Sequence, residues 1–141
     1  MRKLIAMSLI TFFGLAQGAE YSAGQVWTYK SRAGEKQSTV LINKIEYHEK
    51  LGRIFHISID GVKIKNWRVT GGIQTDMPHV PVSENTLKMS LTKHVGNKAI
   101  NSEYLKGYNE WKLEFDKENA GIFTISIADI VAIVEEATSQ K

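Results

Sequence analysis

The spacing of apolar residues changes once along this chain, from every second position before about residue 67 to every third or fourth after about residue 83. A single switch of period places strands first and helices afterwards. That is an α+β arrangement rather than alternating βαβ units. The pattern predicts an antiparallel β-meander of three or four strands packed with about three C-terminal helices.

Residues 25–30 alternate faces and are rich in β-formers; residues 31–36 read as a turn. A second strand follows, with Thr39, Leu41, Asn43, Ile45 and Tyr47 on one side and Val40 and Ile42 on the other. Asp60-Gly61 then predicts a two-residue hairpin turn, because both positions of such a turn need positive φ. That turn would set Ile59 against Val62, Ile57 against Ile64 and Phe55 against Asn66 on an apolar face. Ser58 against Lys63, His56 against Lys65 and Ile54 against Trp67 would form a largely polar one.

Periodicity is lost over residues 70–81, where Gly71, Gly72, Pro78 and Pro81 predict a long surface connection. Ser83 is the expected N-cap of a helix carrying Leu87, Ser90, Leu91, His94 and Val95 on one stripe, and Ser102 the expected cap of the next. In that helix Tyr104, Tyr108, Trp111 and Phe115 recur on one face, read as core. Residues 122–125 form either a short strand or a lead-in. Ser126 and Asp129 make a capping pair for a last helix that buries Ile127, Ile130, Val131 and Val134.

The first nineteen residues have a different character. Arg2 and Lys3 precede an uncharged apolar run over residues 4–16, and small residues close it at Ala16, Gly18 and Ala19. A bilayer-spanning helix needs about 20 apolar residues, so the run is too short to remain as a span. The pattern predicts a signal peptide over residues 1–19, cleaved after Gly18 or Ala19, and a single domain over residues 20–141. The expected localisation is the periplasm, or secretion, with no membrane span after cleavage. Loss of Arg2 and Lys3 lowers the formal net charge from +3 to +1. Charges of both signs are interleaved without a basic block, so nucleic-acid capture is not indicated.

There is no cysteine, which excludes thiol catalysis, cysteine zinc sites and disulfide support. Apolar packing must hold the domain. His48, His56, His79 and His94 each fall in a different expected element, with no spacing that brings two imidazoles to one metal. No metal site and no cofactor is expected. There is no Gly-x-Ser-x-Gly or Ser-x-x-Lys motif, and Ser83, Ser102 and Ser126 are accounted for as caps. Two features mark candidate binding surfaces. One is the polar hairpin face with Trp67 and Ile54 beside His56, Lys63 and Lys65, which is open to partners unless a helix covers it. The other is the long irregular loop from Gly71 to Val82 with Met77 and His79.

The strings at residues 24–30, 52–66 and 121–127 resemble those of a family of small bacterial exported proteins of unknown function. The resemblance covers most of the chain after residue 19 and implies a single domain in a bacterial, periplasmic setting. It implies no activity. The expectation is therefore a non-catalytic binding module directed at another envelope protein, as inhibitors and immunity proteins are. The alternatives are a small hydrolase with His79 or His56 as general base and a carboxylate from elsewhere in the fold, or a carrier of a small apolar ligand.

Overall fold

A computed structural model describes residues 20–141; the expected signal peptide lies outside the described residues. Five antiparallel strands form one sheet in the order β4-β3-β2-β1-β5: β1 Gln25–Tyr29, β2 Thr39–His48, β3 Gly52–Lys65, β4 Ile73–Ser83 and β5 Leu91–Asn97. Three helices accompany them: α1 Glu84–Ser90, α2 Tyr104–Asp116 and α3 Ile127–Thr138. The α+β class is as expected, but the sheet has five strands rather than three or four. The two additional strands come from the segments read as a loop and as the end of a helix.

Asp60-Gly61 is not a hairpin tip. β3 runs through it as one 14-residue strand, with Asp60 paired to Thr39 on one side and Asp76 on the other. Gly61 does take positive φ, at +80°, and the register with β4 shifts between Asp60 and Ile64. A bulge of this kind restores Val62 and Ile64 to the face of Ile57 and Ile59, as a two-residue turn would. The two geometries therefore share one sequence pattern. The expected facing of Ile54 with Trp67 and His56 with Lys65 fails: Ile54 pairs with Glu46 and Ser83, His56 with Lys44 and Pro81.

The expected connection over residues 70–81 is mostly β4. Pro78 and Pro81 are admissible because β4 is an edge strand, where a missing N–H costs no ladder bond. Its outer side meets Phe123, whose N–H donates to the Pro81 carbonyl at 3.0 Å while Ser83 N–H donates to the Phe123 carbonyl at 2.9 Å. Residues 122–125 contribute only that single bridge. Ser83 does cap α1, accepting from Thr86 N–H, but the helix stops at Ser90. Leu91–Asn97 pairs with β1 instead, so His94 lies on a strand, stacked on Trp27 with ring centroids 5.3 Å apart. Pairing with an open edge overrides a helical pattern that rested on few apolar residues. Ser102 does not cap α2: Glu103 holds that position without a side-chain bond, and Asn101 Oδ1 accepts from Glu103 N–H. Ser126 caps α3 as expected, accepting from Asp129 N–H, and Ile127, Ile130 and Val131 are buried beneath it.

Both faces of the sheet are covered at its centre. On one, Ile42, Phe55, Ile57, Ile59 and Val80 pack with Leu87 of α1 and Ile127, Ile130 and Val131 of α3. On the other, Ile54, His56 and Ser58 are also buried, and α2 lies above His56 and His79. The Ile54, His56 and Ser58 half of the largely polar face expected for the hairpin is therefore interior, whereas Lys63, Lys65 and Trp67 are exposed. In β2 the ladder slips between Ile42 and Lys44, so Val40, Ile42 and Ile45 share the apolar core, and the single alternation expected over Thr39, Leu41, Asn43 and Ile45 is broken at Asn43.

Beyond Gly61, β3 outruns β2, and side chains take the place of a strand. Lys63 N–H donates to Glu35 at 2.7 Å and Lys65 N–H to Glu135 at 2.8 Å. Arg32 ties the two carboxylates together at 2.7 and 2.9 Å. The Thr138 hydroxyl donates to the Lys65 carbonyl, and Trp67 N–H donates to the Thr138 carbonyl. Backbone groups of the unaccompanied stretch are thereby satisfied.

Candidate functional site: a histidine stack beneath α2 and an adjoining cleft

Three neighbouring strands each contribute one polar side chain to the face beneath α2: Glu46 from β2, His56 from β3 and His79 from β4. His56 Nε2 lies 2.6 Å from Glu46 Oε1, and His56 Nδ1 lies 2.9 Å from His79 Nε2. The imidazoles stack at 15° with centroids 5.1 Å apart. A carboxylate only accepts, so His56 donates through Nε2, accepts at Nδ1, and receives the Nε2 proton of His79. The remaining lone pair of the chain is on His79 Nδ1.

Aromatic rings of α2 close over the stack. Tyr108 and Trp111 stand edge-on to His56 at 4.7 and 4.9 Å, and the Tyr108 hydroxyl donates to Glu46 Oε2 at 3.3 Å. Lys44 lies over the Tyr108 ring at 5.5 Å. His56 is 0% exposed, and burial lowers its pKa against the opposing pull of Glu46. Burial, followed by the neighbouring His56, lowers His79 to about 4. Burial first and then Glu46 raise Tyr108 to about 12. Both imidazoles are therefore neutral at pH 7. The aromatic stripe read as core does cover the sheet, but it packs on histidines rather than on aliphatic residues.

A carboxylate–imidazole–imidazole chain can orient a proton acceptor, the arrangement general-base chemistry uses. Ser58, nearby on β3, is already engaged: its hydroxyl donates to the Pro78 carbonyl at 2.7 Å and accepts from Asn43 at 2.7 Å. Among the described residues no three His, Asp or Glu side chains converge as a metal ion would require.

A cleft of about 440 Å³ opens beyond the stack, between the β2–β3 turn and the C-terminal end of α2, and none of Glu46, His56 and His79 lines it. His48, Lys50, Leu51, Lys112, Phe115 and Glu118 form most of its wall. His48 Nδ1 accepts from the Lys50 and Leu51 N–H groups at 3.1 Å each, which fixes the turn, and its ring meets Phe115 edge-on at 5.3 Å. Phe115 in turn stacks on Trp111 at 4.4 Å. Leu51, part of that wall, is exposed.

Of the candidate residues named from sequence, only His56 and His79 come together. Ile54 is buried and Met77 packs into the apolar core. Lys63 and Lys65 point to solvent while their amides are held by Glu35 and Glu135. Trp67 is 44% exposed, with Arg68 over its ring at 5.2 Å and Lys141 at 5.9 Å. Glu46, Tyr108 and the His48–Phe115 cleft were missed. The apolar positions Val40, Ile42 and Ile45, whose spacing slips from two to three, carried the signal that puts Glu46 beside His56.

Comparison of the chain with protein-family models, with curated proteins and with solved structures finds no match. Among the described residues no helix is long and apolar enough to cross a membrane.

Proposed function

We propose that this is a non-catalytic binding module of the bacterial envelope, released into the periplasm after loss of a leader, which docks on another envelope protein and masks it. The observation that carries this reading is the cleft between His48 and Phe115. Its aromatic wall, the exposed Leu51 within it, and the flanking Lys50 and Lys112 give the mixture of apolar anchor and polar rim that protein interfaces use. A photo-crosslinking side chain placed at Leu51 tests it against one placed at Ile133, an exposed residue of α3. Discrete adducts from position 51 alone are the expected result. Equal labelling from both positions, or none from either, would overturn it.

A second reading, a small His-dependent hydrolase, draws support from the 2.6 Å and 2.9 Å contacts that link Glu46, His56 and His79. Hydrolysis of activated esters that is abolished in His79→Gln, with the fold intact, would favour it over docking.

A further inference from the structure

We propose that the Glu46–His56–His79 stack is an acid-sensitive fastening for α2, and that acidification releases this helix from the sheet while the opposite face stays packed.

The two faces of the sheet are held differently. α1 and α3 place Leu87, Ile127, Ile130 and Val131 into an apolar core in which all four are fully buried. α2 has one buried residue, Tyr104, and leaves Leu105 and Leu113 exposed. Its inner side rests on imidazoles. Elements with few buried apolar contacts open at lower free energy than the core, so α2 is the helix that a local change can detach.

The stack supplies that change. In the neutral state each ring nitrogen between the strands has one role, and one proton lies between His56 Nδ1 and His79 Nε2. A first added proton on His79 Nδ1 leaves this bond in place but puts a cation under the aromatic cover. A second proton on His56 Nδ1 sets two N–H groups against each other at 2.9 Å, and the rings must part. Every charged or titratable group facing the stack can be named. Glu46 on β2 favours protonation of both rings, and Lys44 on β2 and Lys112 on α2 oppose it at His56. Tyr104 and Tyr108 of α2 complete the cover, with Asp116 further along the helix. The single nearby carboxylate is already shared by His56 and the Tyr108 hydroxyl. Burial dominates the balance, and His79 takes a proton only near pH 4 while packed, against about 6.5 when released. Released α2 is therefore favoured as pH falls across that interval.

Amide hydrogen exchange of the intact domain at pH 7 and pH 4, expressed as protection after correction for intrinsic rates, tests the proposal. Amides of Tyr104–Asp116 are expected to lose protection on the order of 100-fold relative to those of Ile127–Thr138, the factor that a shift from about 6.5 to about 4 implies. His79→Gln, which keeps a donor near the Nε2 position, is expected to retain α2 protection at pH 7 and to show a much weaker pH dependence, the remainder coming from His56. Parallel loss of protection in both helices, or selective acid release that is undiminished in His79→Gln, would overturn the proposal. Should that variant not fold, titration of the imidazole signals of the wild-type protein decides. A His79 midpoint near 4 accompanied by the α2 change supports it, and an ordinary midpoint without that change overturns it.

Discussion

Gly107 of α2 packs against His79 of β4 so closely that a Cβ at position 107 would lie 2.8 Å from the His79 Cβ. The atom it would meet is attached directly to the β4 backbone and cannot swing aside. Glycine inside a helix ordinarily costs about 1 kcal/mol relative to alanine, so Gly→Ala in an open helix stabilises. Here the sign reverses. Gly107→Ala must lift α2 from the sheet, and a loss of about 1–3 kcal/mol is expected from denaturant unfolding. A stabilised variant would contradict the packing.

The histidine stack makes stability depend on pH in a defined direction. Below about pH 6.5 the unfolded chain protonates His79, whereas the folded chain does so only near 4. The unfolded state therefore binds more protons across that window, and stability falls as pH falls through it. His56, lowered by burial, acts in the same sense. Between pH 6.5 and 5 the loss due to His79 is on the order of 1–2 kcal/mol. Urea midpoints at those two pH values measure it, and His79→Gln should show a flatter dependence.

Glu35 anchors the side-chain network that accompanies the end of β3. It is 2% exposed, bonds Arg32 through both carboxylate oxygens, and accepts from Lys63 N–H. Glu35→Ala leaves the Lys63 amide without its partner and the Arg32 guanidinium with Glu135 as its remaining carboxylate, and a cost of roughly 3 kcal/mol is expected. Glu135→Ala, at a more exposed site, should cost about 1 kcal/mol. Arg32→Ala combined with Glu35→Ala should cost less than the two separately, because they remove one interaction. Thermal or denaturant unfolding of the four proteins checks the cycle.

Gly61 offers a comparison of two kinds of backbone constraint. At φ +80° its added Cβ would lie 3.0 Å from the Ser38 Cα, whereas Gly34, at φ +84°, faces open space. Gly34→Ala should therefore show the conformational penalty alone, about 1 kcal/mol, and Gly61→Ala roughly 2 kcal/mol or more. Equal effects in equilibrium unfolding would argue against a bulge pressed on Ser38.

Much of this architecture was legible in residue spacing. The α+β order, the capping of α1 by Ser83 and the capping of α3 by Ser126 all follow from local chemistry, which is why they are found; the Asp129 side chain does not return the bond. The errors have a common cause: information held in neighbouring strands. Asp60-Gly61 fits a turn and a bulge equally well, and only β2 and β4 lying on either side decide between them. Leu91–Asn97 becomes a strand because β1 has a free edge, a fact no window of residues 91–97 contains. His56 and His79 were singled out separately. Their union with Glu46 depends on the register slip at Asn43 and on a β4 that two prolines concealed.

The place of β1 inside the sheet has a consequence for how the chain comes apart. Hydrogen-bonded to β2 on one side and β5 on the other, Gln25–Tyr29 cannot peel away alone, although it lies early in the sequence. Leu91–Asn97 can: it is bonded on one side and open to water along nearly its whole length. Fraying therefore begins in the middle of the polypeptide, and limited proteolysis should nick it near residue 95 before it trims residues 25–29.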